Sequence, residues 1–238
     1  MERWTIYVDI LGFSNLYKNN PRETLRSLGE LIEIIWYIGR DIYPNSSDRL
    51  FIHQYGDGIA ITSEFLDEKL TRPIYISIFL MQYMLNKNCL LQIGIAQGEF
   101  TDILNCYPAA VIKEAEDISC QFGSIGGLRV GAGIMNFQQI MGLSFISAVE
   151  LSNNGSGLSL RLEETFVDTV EDDQFNWRRN KGAVEINWLC QYKEVMSIYE
   201  NLKLEIPNRE DLISYLNKYI QCYRLKRKWT STQRFLLN

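Results

Sequence analysis

Two aspartates stand out by what surrounds them. Asp9 lies near the end of the apolar run Thr5 to Leu11, within Tyr7-Val8-Asp9-Ile10-Leu11-Gly12-Phe13-Ser14. Asp57 lies in Tyr55-Gly56-Asp57-Gly58, between the apolar runs Leu50 to Gln54 and Ile59 to Ser63. A carboxylate beside an apolar wall is costly unless something cationic accompanies it. Two converging carboxylates raise that cost and suit Mg²⁺ or Mn²⁺, which take oxygen ligands and leave positions open for substrate phosphate. Gly12 lets the main chain approach a ligand closely, and the N–H groups of Leu11, Gly12, Phe13 and Ser14 suit phosphate oxygens. Together these residues would perform phosphoryl-group chemistry by positioning and charge neutralisation. Taken singly, Asp57 reads as a hairpin turn residue and Asp9 as a satisfied polar group; the pair is what points to chemistry.

The elements that must bring the pair together can be read in order. Thr5 to Leu11 is a buried strand by its β-formers and its stop at Gly12. Asn20 caps a helix with Pro21 at its first position and Glu23 three residues on. Leu25, Leu28, Ile32, Ile35, Trp36 and Ile42 give that helix one apolar face through to about Tyr43. Leu50 to Gln54 and Ile59 to Ser63 form a hairpin with Asp57 at its tip. Leu70 to Asn86 reads as a helix, and Leu90 to Phe100 as a strand. This order predicts an α+β fold of ferredoxin-like, split βαβ type, a mixed and mainly antiparallel sheet with helices. In it the first strand lies beside the hairpin, so Asp9 and Asp57 share one site.

Beyond residue 100 the pattern loosens. Gly123 to Gly133 holds five glycines in eleven residues and reads as flexible, or as an arm, subunit contact or flap. A helix is predicted over Leu143 to Asn153 and strands over Leu158 to Leu162 and Val184 to Leu189, with 163–181 a surface excursion. Helices over Gln191 to Leu204 and after Asn208 close the chain, the last with a stripe of Leu212, Leu216, Tyr219 and Tyr223. The division expected is a domain over 1–190, carrying a glycine-rich insertion at about 101–141, and a C-terminal helical extension over 191–238 packed on the core or on a partner.

Composition narrows the classes. The 238 residues are 46% hydrophobic, enough for a sizeable core. One histidine, His53, and five scattered cysteines argue against a histidine-based metal cluster, a zinc knuckle or a disulfide framework. A net charge of −5 argues against nucleic-acid binding, and the basic residues Arg224 to Arg234 read as a solvated helix end. With no run long enough to span a bilayer and no basic-then-apolar leader, a cytoplasmic protein without a membrane partner is expected.

Val8-Asp9-Ile10-Leu11-Gly12-Phe13-Ser14, Gly56-Asp57 and Gly94-Ile95-Ala96-Gln97-Gly98 resemble three successive motifs of the class III nucleotidyl cyclase catalytic domain. The resemblance covers roughly residues 4 to 162. It implies that Asp9 and Asp57 ligate two Mn²⁺ or Mg²⁺ ions, that the Ile10 carbonyl adds a ligand, and that residues 10 to 14 hold a triphosphate. The ribose 3′-hydroxyl would attack the α-phosphate, releasing pyrophosphate and a 3′,5′-cyclic nucleotide. Family sites lie between two subunits, so the resemblance also implies a homodimer.

The departures bear on the base. Ile146 stands where the family's ribose-binding Asn lies, and Glu150 where its transition-state Arg is expected. His53 falls where adenylyl cyclases carry a base-reading Lys, and Leu143 at or near their base-reading acid. With both purine sets absent, the chain looks like the pyrimidine cyclases of the bacterial Pycsar anti-phage systems. That resemblance implies UTP ahead of CTP as substrate and a cyclic product acting on a separate effector protein. His53 or Tyr55 could read the base, although Tyr55 also reads as a packing aromatic. Arg129 could supply the missing cation, with Arg161, Arg178 and Arg179 as rivals. An inactive nucleotide-binding regulatory module and a purine cyclase with unusual base contacts remain open beside this reading.

Overall fold

In the computed structural model the described residues are 2–63, 71–102, 127–130, 133–136, 140–155, 157–165, 175–223 and 229–238. β1 (Glu2–Ile10), α1 (Phe13–Asn19), α2 (Pro21–Tyr37), β2 (Leu50–Tyr55), β3 (Gly58–Ser63), α3 (Thr71–Asn86) and β4 (Leu91–Glu99) follow one another in the predicted order. The main sheet has the order β10-β11-β9-β4-β1-β3-β2, with β9 (Leu160–Glu163), β10 (Trp177–Arg179) and β11 (Ala183–Ile186) extending it beyond β4. Its first four strands are in the 4-1-3-2 order of a split βαβ unit, and only the β4–β9 pair is parallel.

Alternation along β1 separates two layers. Trp4, Ile6, Val8 and Ile10 are buried in the main apolar cluster with residues of α2 and α3. Thr5, Tyr7 and Asp9 point to the opposite face, where α4 (Leu143–Asn154) lies; the Thr5 hydroxyl donates to Ser144 Oγ at 3.0 Å. The small residues Ser144, Ala148 and Ser152 are the buried side of α4. A side chain at Gly94 on β4 would run into the Ala148 carbonyl and approach the Ser152 nitrogen to 2.7 Å. Glycine at 94 is therefore what lets the helix backbone sit directly on the sheet.

Asn20 caps α2 as expected, accepting from the Glu23 N–H at 3.4 Å. The predicted apolar face of that helix needs correction. Thr24, Leu28, Leu31, Ile34, Ile35 and Ile38 are buried, whereas Leu25, Ile32 and Trp36 are exposed. The helix is apolar on more than one side, and the 24-28-31-35-38 stripe faces the sheet. Its last turn widens to a π-helix over Ile38–Ile42.

The segment 163–181 is also more than a surface excursion, because Trp177–Arg179 is an edge strand of the main sheet. A two-residue turn, Lys181 (φ 53°) and Gly182 (φ 71°), joins it to β11. Positive φ at both positions matches the right-handed twist of a tight hairpin.

Short strands β5 (Thr101–Asp102) and β8 (Ile140–Met141) pair, as do β6 (Gly127–Val130) and β7 (Gly133–Asn136). The glycine-rich stretch thus includes part of an antiparallel ribbon; its residues 123–126, 131 and 132, and the side chain of Arg129, lie outside the described residues. The C-terminal helices α5 (Lys193–Asn201), α6 (Arg209–Tyr223) and α7 (Thr230–Leu237) pack on the body of the same chain: Val195, Leu212, Leu216, Tyr219 and Leu236 all enter the main apolar cluster. The basic residues 224–228 lie outside the described set.

Candidate active site

β1 and the β2–β3 hairpin bring the two aspartates together. Thr5 to Val8 pair with Ile59 to Thr62, which sets the Gly56-Asp57 turn beside the end of β1 where Asp9 stands. The Asp57 carboxyl reaches hydrogen-bonding contact with Asp9. Burial first, and then the Asp57 charge, push the Asp9 carboxyl up to about 6, against donors from Gln92 and the Ile10 N–H that act the other way. Tyr7, on the same face two residues earlier, is pushed up to about 12 by burial and by both carboxylates.

Among the described residues no cationic side chain enters that balance. Among the described residues no cluster of three or more His, Cys, Asp and Glu side chains exists that could hold a metal ion. Two carboxylates with a main-chain carbonyl at Ile10 fit a hard divalent cation that completes its shell with water and phosphate. They do not fit zinc, which takes four protein or solvent ligands rich in N and S.

Next to the pair, Gly12 has φ 74° and opens α1, taking the left-handed conformation that glycine allows. The Leu11 N–H expected to face phosphate is already donated to the Leu90 carbonyl at 2.9 Å. That bond ends the β1–β4 ladder. The N–H groups of Phe13 and Ser14, in the first turn of α1, have no acceptor within the helix. Ser14 is exposed, while Phe13 is partly buried and stacks on Tyr17 at 6.0 Å between ring centres.

The remaining candidates are spread across the sheet. His53 pairs with Ala60, Ala60 with Tyr7, and Tyr7 with Gly94, so His53 lies in the same cross-strand row as Tyr7. Two strand spacings separate β2 from β1, roughly 10 Å. Tyr55 packs on Phe145 of α4 at 5.3 Å and, with it, borders a small cluster of Ala60, Phe100 and Ile140. Its hydroxyl oxygen is buried. Leu143 and Ile146 on α4 are 61% and 46% exposed and Glu150 is exposed too, so the helix turns these positions outward.

The arginine rivals occupy structural places. Arg161 is 3% exposed, donates to the Leu151 and Asn180 carbonyls, and faces the 2% exposed Glu185. Arg178 donates to the same Glu185 at 2.6 and 2.9 Å and reaches Ser231 of α7. Arg179 pairs at the surface with Glu164.

Sequence reasoning missed Gln92. It lies opposite Asp9 in the β1–β4 register and donates from Nε2 to Asp9 Oδ2 at 2.6 Å. The signal was available in Leu90-Leu91-Gln92-Ile93, a polar residue with apolar neighbours on both sides.

No family model matches the chain, and no curated protein matches it. Solved structures do. A bacterial light-regulated adenylyl cyclase superposes with a TM-score of 0.52 at 14% identity, over 89% of this chain and 57% of that one. A class III adenylyl cyclase-like ATP-binding protein from Pseudomonas aeruginosa gives a TM-score of 0.47 at 14% identity, over 85% of this chain and 40% of that one. The chain thus spans little more than half the length of the first structure. The fold is that of a class III cyclase.

Proposed function

We propose that the chain is a divalent-metal-dependent nucleotidyl cyclase acting on a pyrimidine nucleoside triphosphate, UTP ahead of CTP. The observation that carries this reading is the meeting of Asp9 and Asp57 at the end of β1 in a class III cyclase fold. Asp9, Asp57 and the Ile10 carbonyl would hold Mn²⁺ or Mg²⁺. When bound, such ions lower the pKa of a coordinated hydroxyl and neutralise the transferred phosphate. The Phe13 and Ser14 N–H groups, in the first turn of α1, would donate to phosphate oxygens. In the reaction the ribose 3′-oxygen gives its proton to solvent and bonds to the α-phosphorus, the bond from that phosphorus to the α,β-bridging oxygen breaks, and pyrophosphate leaves with that electron pair.

A homodimer follows from the same reading. The outward Leu143 and Ile146, with the 56% exposed Met141, give α4 and its entry strand an apolar surface for that partner. His53 stands about 10 Å from β1 across Ala60, on the face that carries Tyr7 and Asp9, where it is the candidate to read the base. His53 and Leu143, at the positions where adenylyl cyclases read the base, support a pyrimidine base. Arg129 remains the candidate for the transition-state cation. The Pycsar-like role, a cyclic nucleotide alarm read by a separate effector in anti-phage defence, rests on the sequence resemblance.

The test is competition among ATP, GTP, CTP and UTP with Mn²⁺, followed by identification of the cyclic products. Cyclic UMP as the main product supports the proposal. Preference for ATP or GTP would overturn the pyrimidine assignment, and no cyclic product at all would favour an inactive nucleotide-binding module.

A further inference from the structure

Asp9 and Gln92 are direct cross-strand partners, and the carboxamide Nε2 of Gln92 donates to Asp9 Oδ2 at 2.6 Å. Gln92 is itself held in place. Its strand carries Gly94 two residues on, under the backbone of α4, and its carbonyl accepts from the Ser152 hydroxyl at 3.4 Å. A carboxylate offers about four lone-pair sites, so the N–H groups of Gln92 and Ile10 that donate to Asp9 still leave room for a cation. The donor's charge decides the rest. A lysine or arginine at this position would orient Asp9 equally well but would neutralise the site and compete with any metal. An amide orients without adding charge.

We propose that Gln92 is the positioning residue of the candidate metal site, a neutral donor that sets the Asp9 carboxylate for a divalent cation while leaving both aspartate charges available to it. This rests on the reading of Asp9 as a cation ligand. Residues that hydrogen-bond a metal ligand commonly carry a tenfold to hundredfold effect on metal affinity.

The experiment measures Mn²⁺ affinity, with Mn²⁺ alone and no nucleotide, by the electron paramagnetic resonance signal of the free ion. Wild type, Asp9→Asn, Gln92→Met and Gln92→Lys are compared, and the metal-free melting temperature of each is recorded. Gln92→Met keeps the length and loses the donor; its Mn²⁺ affinity should fall about 10- to 100-fold. Gln92→Lys keeps a donor and adds a charge. It should melt no lower than wild type without metal, yet lose Mn²⁺ binding by at least as much as Gln92→Met. A purely structural hydrogen bond predicts the opposite, with Gln92→Lys rescuing both properties. Wild-type Mn²⁺ affinity in either Gln92 variant, with binding lost in Asp9→Asn, overturns the positioning role and leaves the metal site standing. Equal binding by wild type and Asp9→Asn overturns both.

Discussion

The hydroxyl of Tyr7 occupies the space that a side chain on Gly58 would need. Gly58 begins β3 directly after Asp57, and Tyr7 precedes Asp9 by two positions on the same face. The two aspartate-bearing segments are thus locked by a ring laid against a bare backbone. Gly58→Ala must displace Tyr7, the hairpin, or both. The expected result is a stability loss of about 1–3 kcal/mol from overpacking and weaker Mn²⁺ binding, because the spacing of the carboxylates changes. Thermal melts with and without Mn²⁺ check both parts.

Gly94 tests the seating of α4. A methyl group there meets helix backbone, which has no rotamer to yield. Gly94→Ala should destabilise by about 3 kcal/mol or more. Gly29 is the contrast, lying inside α2 with nothing within 4 Å of an added Cβ. Gly29→Ala should stabilise by roughly 0.5–1 kcal/mol through helix propensity. Chemical denaturation of the two variants gives opposite signs if the fold is as described.

Asp9 makes the metal-free protein sensitive to pH. Its folded pKa is about 6, raised from the ordinary carboxylate value of 3.8 chiefly by burial. Below pH 4 the carboxyl is protonated in folded and unfolded chains alike. Between 4 and 6 only the unfolded chain ionises it, so the folded state binds the extra proton and stability falls as pH rises. Above 6 that loss is complete. Mn²⁺ should reverse the trend, because cation binding expels the proton and tightens as pH climbs through 6. Carboxyl ¹³C chemical shifts, followed from pH 4 to 8 with and without Mn²⁺, report the titration directly.

The Arg161–Glu185–Arg178 group should matter for stability and leave substrate recognition alone. Glu185→Ala strands the buried Arg161 guanidinium, whose own pKa burial already lowers. Removing one partner of a buried pair costs about 3–5 kcal/mol. The folded fraction should keep its KM for nucleotide. A changed KM with an unchanged melting temperature would instead place Arg161 in the site.

The sequence made the first half of this molecule readable because each local signal agreed with the next. Asn20-Pro21 marks a helix start, Gly56-Asp57 a hairpin tip, and the order of elements forces Asp9 beside Asp57. Where the signal was ambiguous the reading slipped. The α2 helix carries apolar residues on several sides, so spacing alone did not decide that Leu25, Ile32 and Trp36 would face outward. The strand Trp177–Arg179 is short, and its hairpin signal, Asn180-Lys181-Gly182, lacks the Asn-Gly pair that usually announces such a turn. Gln92 required a register: only the pairing of Asp9 with Gln92 turns a polar strand residue into a partner for the carboxylate.

The central claim is that Asp9 and Asp57 act as one unit in cyclisation. Its most direct test is pyrophosphate release and cyclic product formation from UTP with Mn²⁺, measured for wild type, Asp9→Ala, Asp57→Ala and the double variant. Each single change should abolish turnover to the level of the double variant, with no further loss on combining them. Cyclisation surviving in either single variant would contradict the claim.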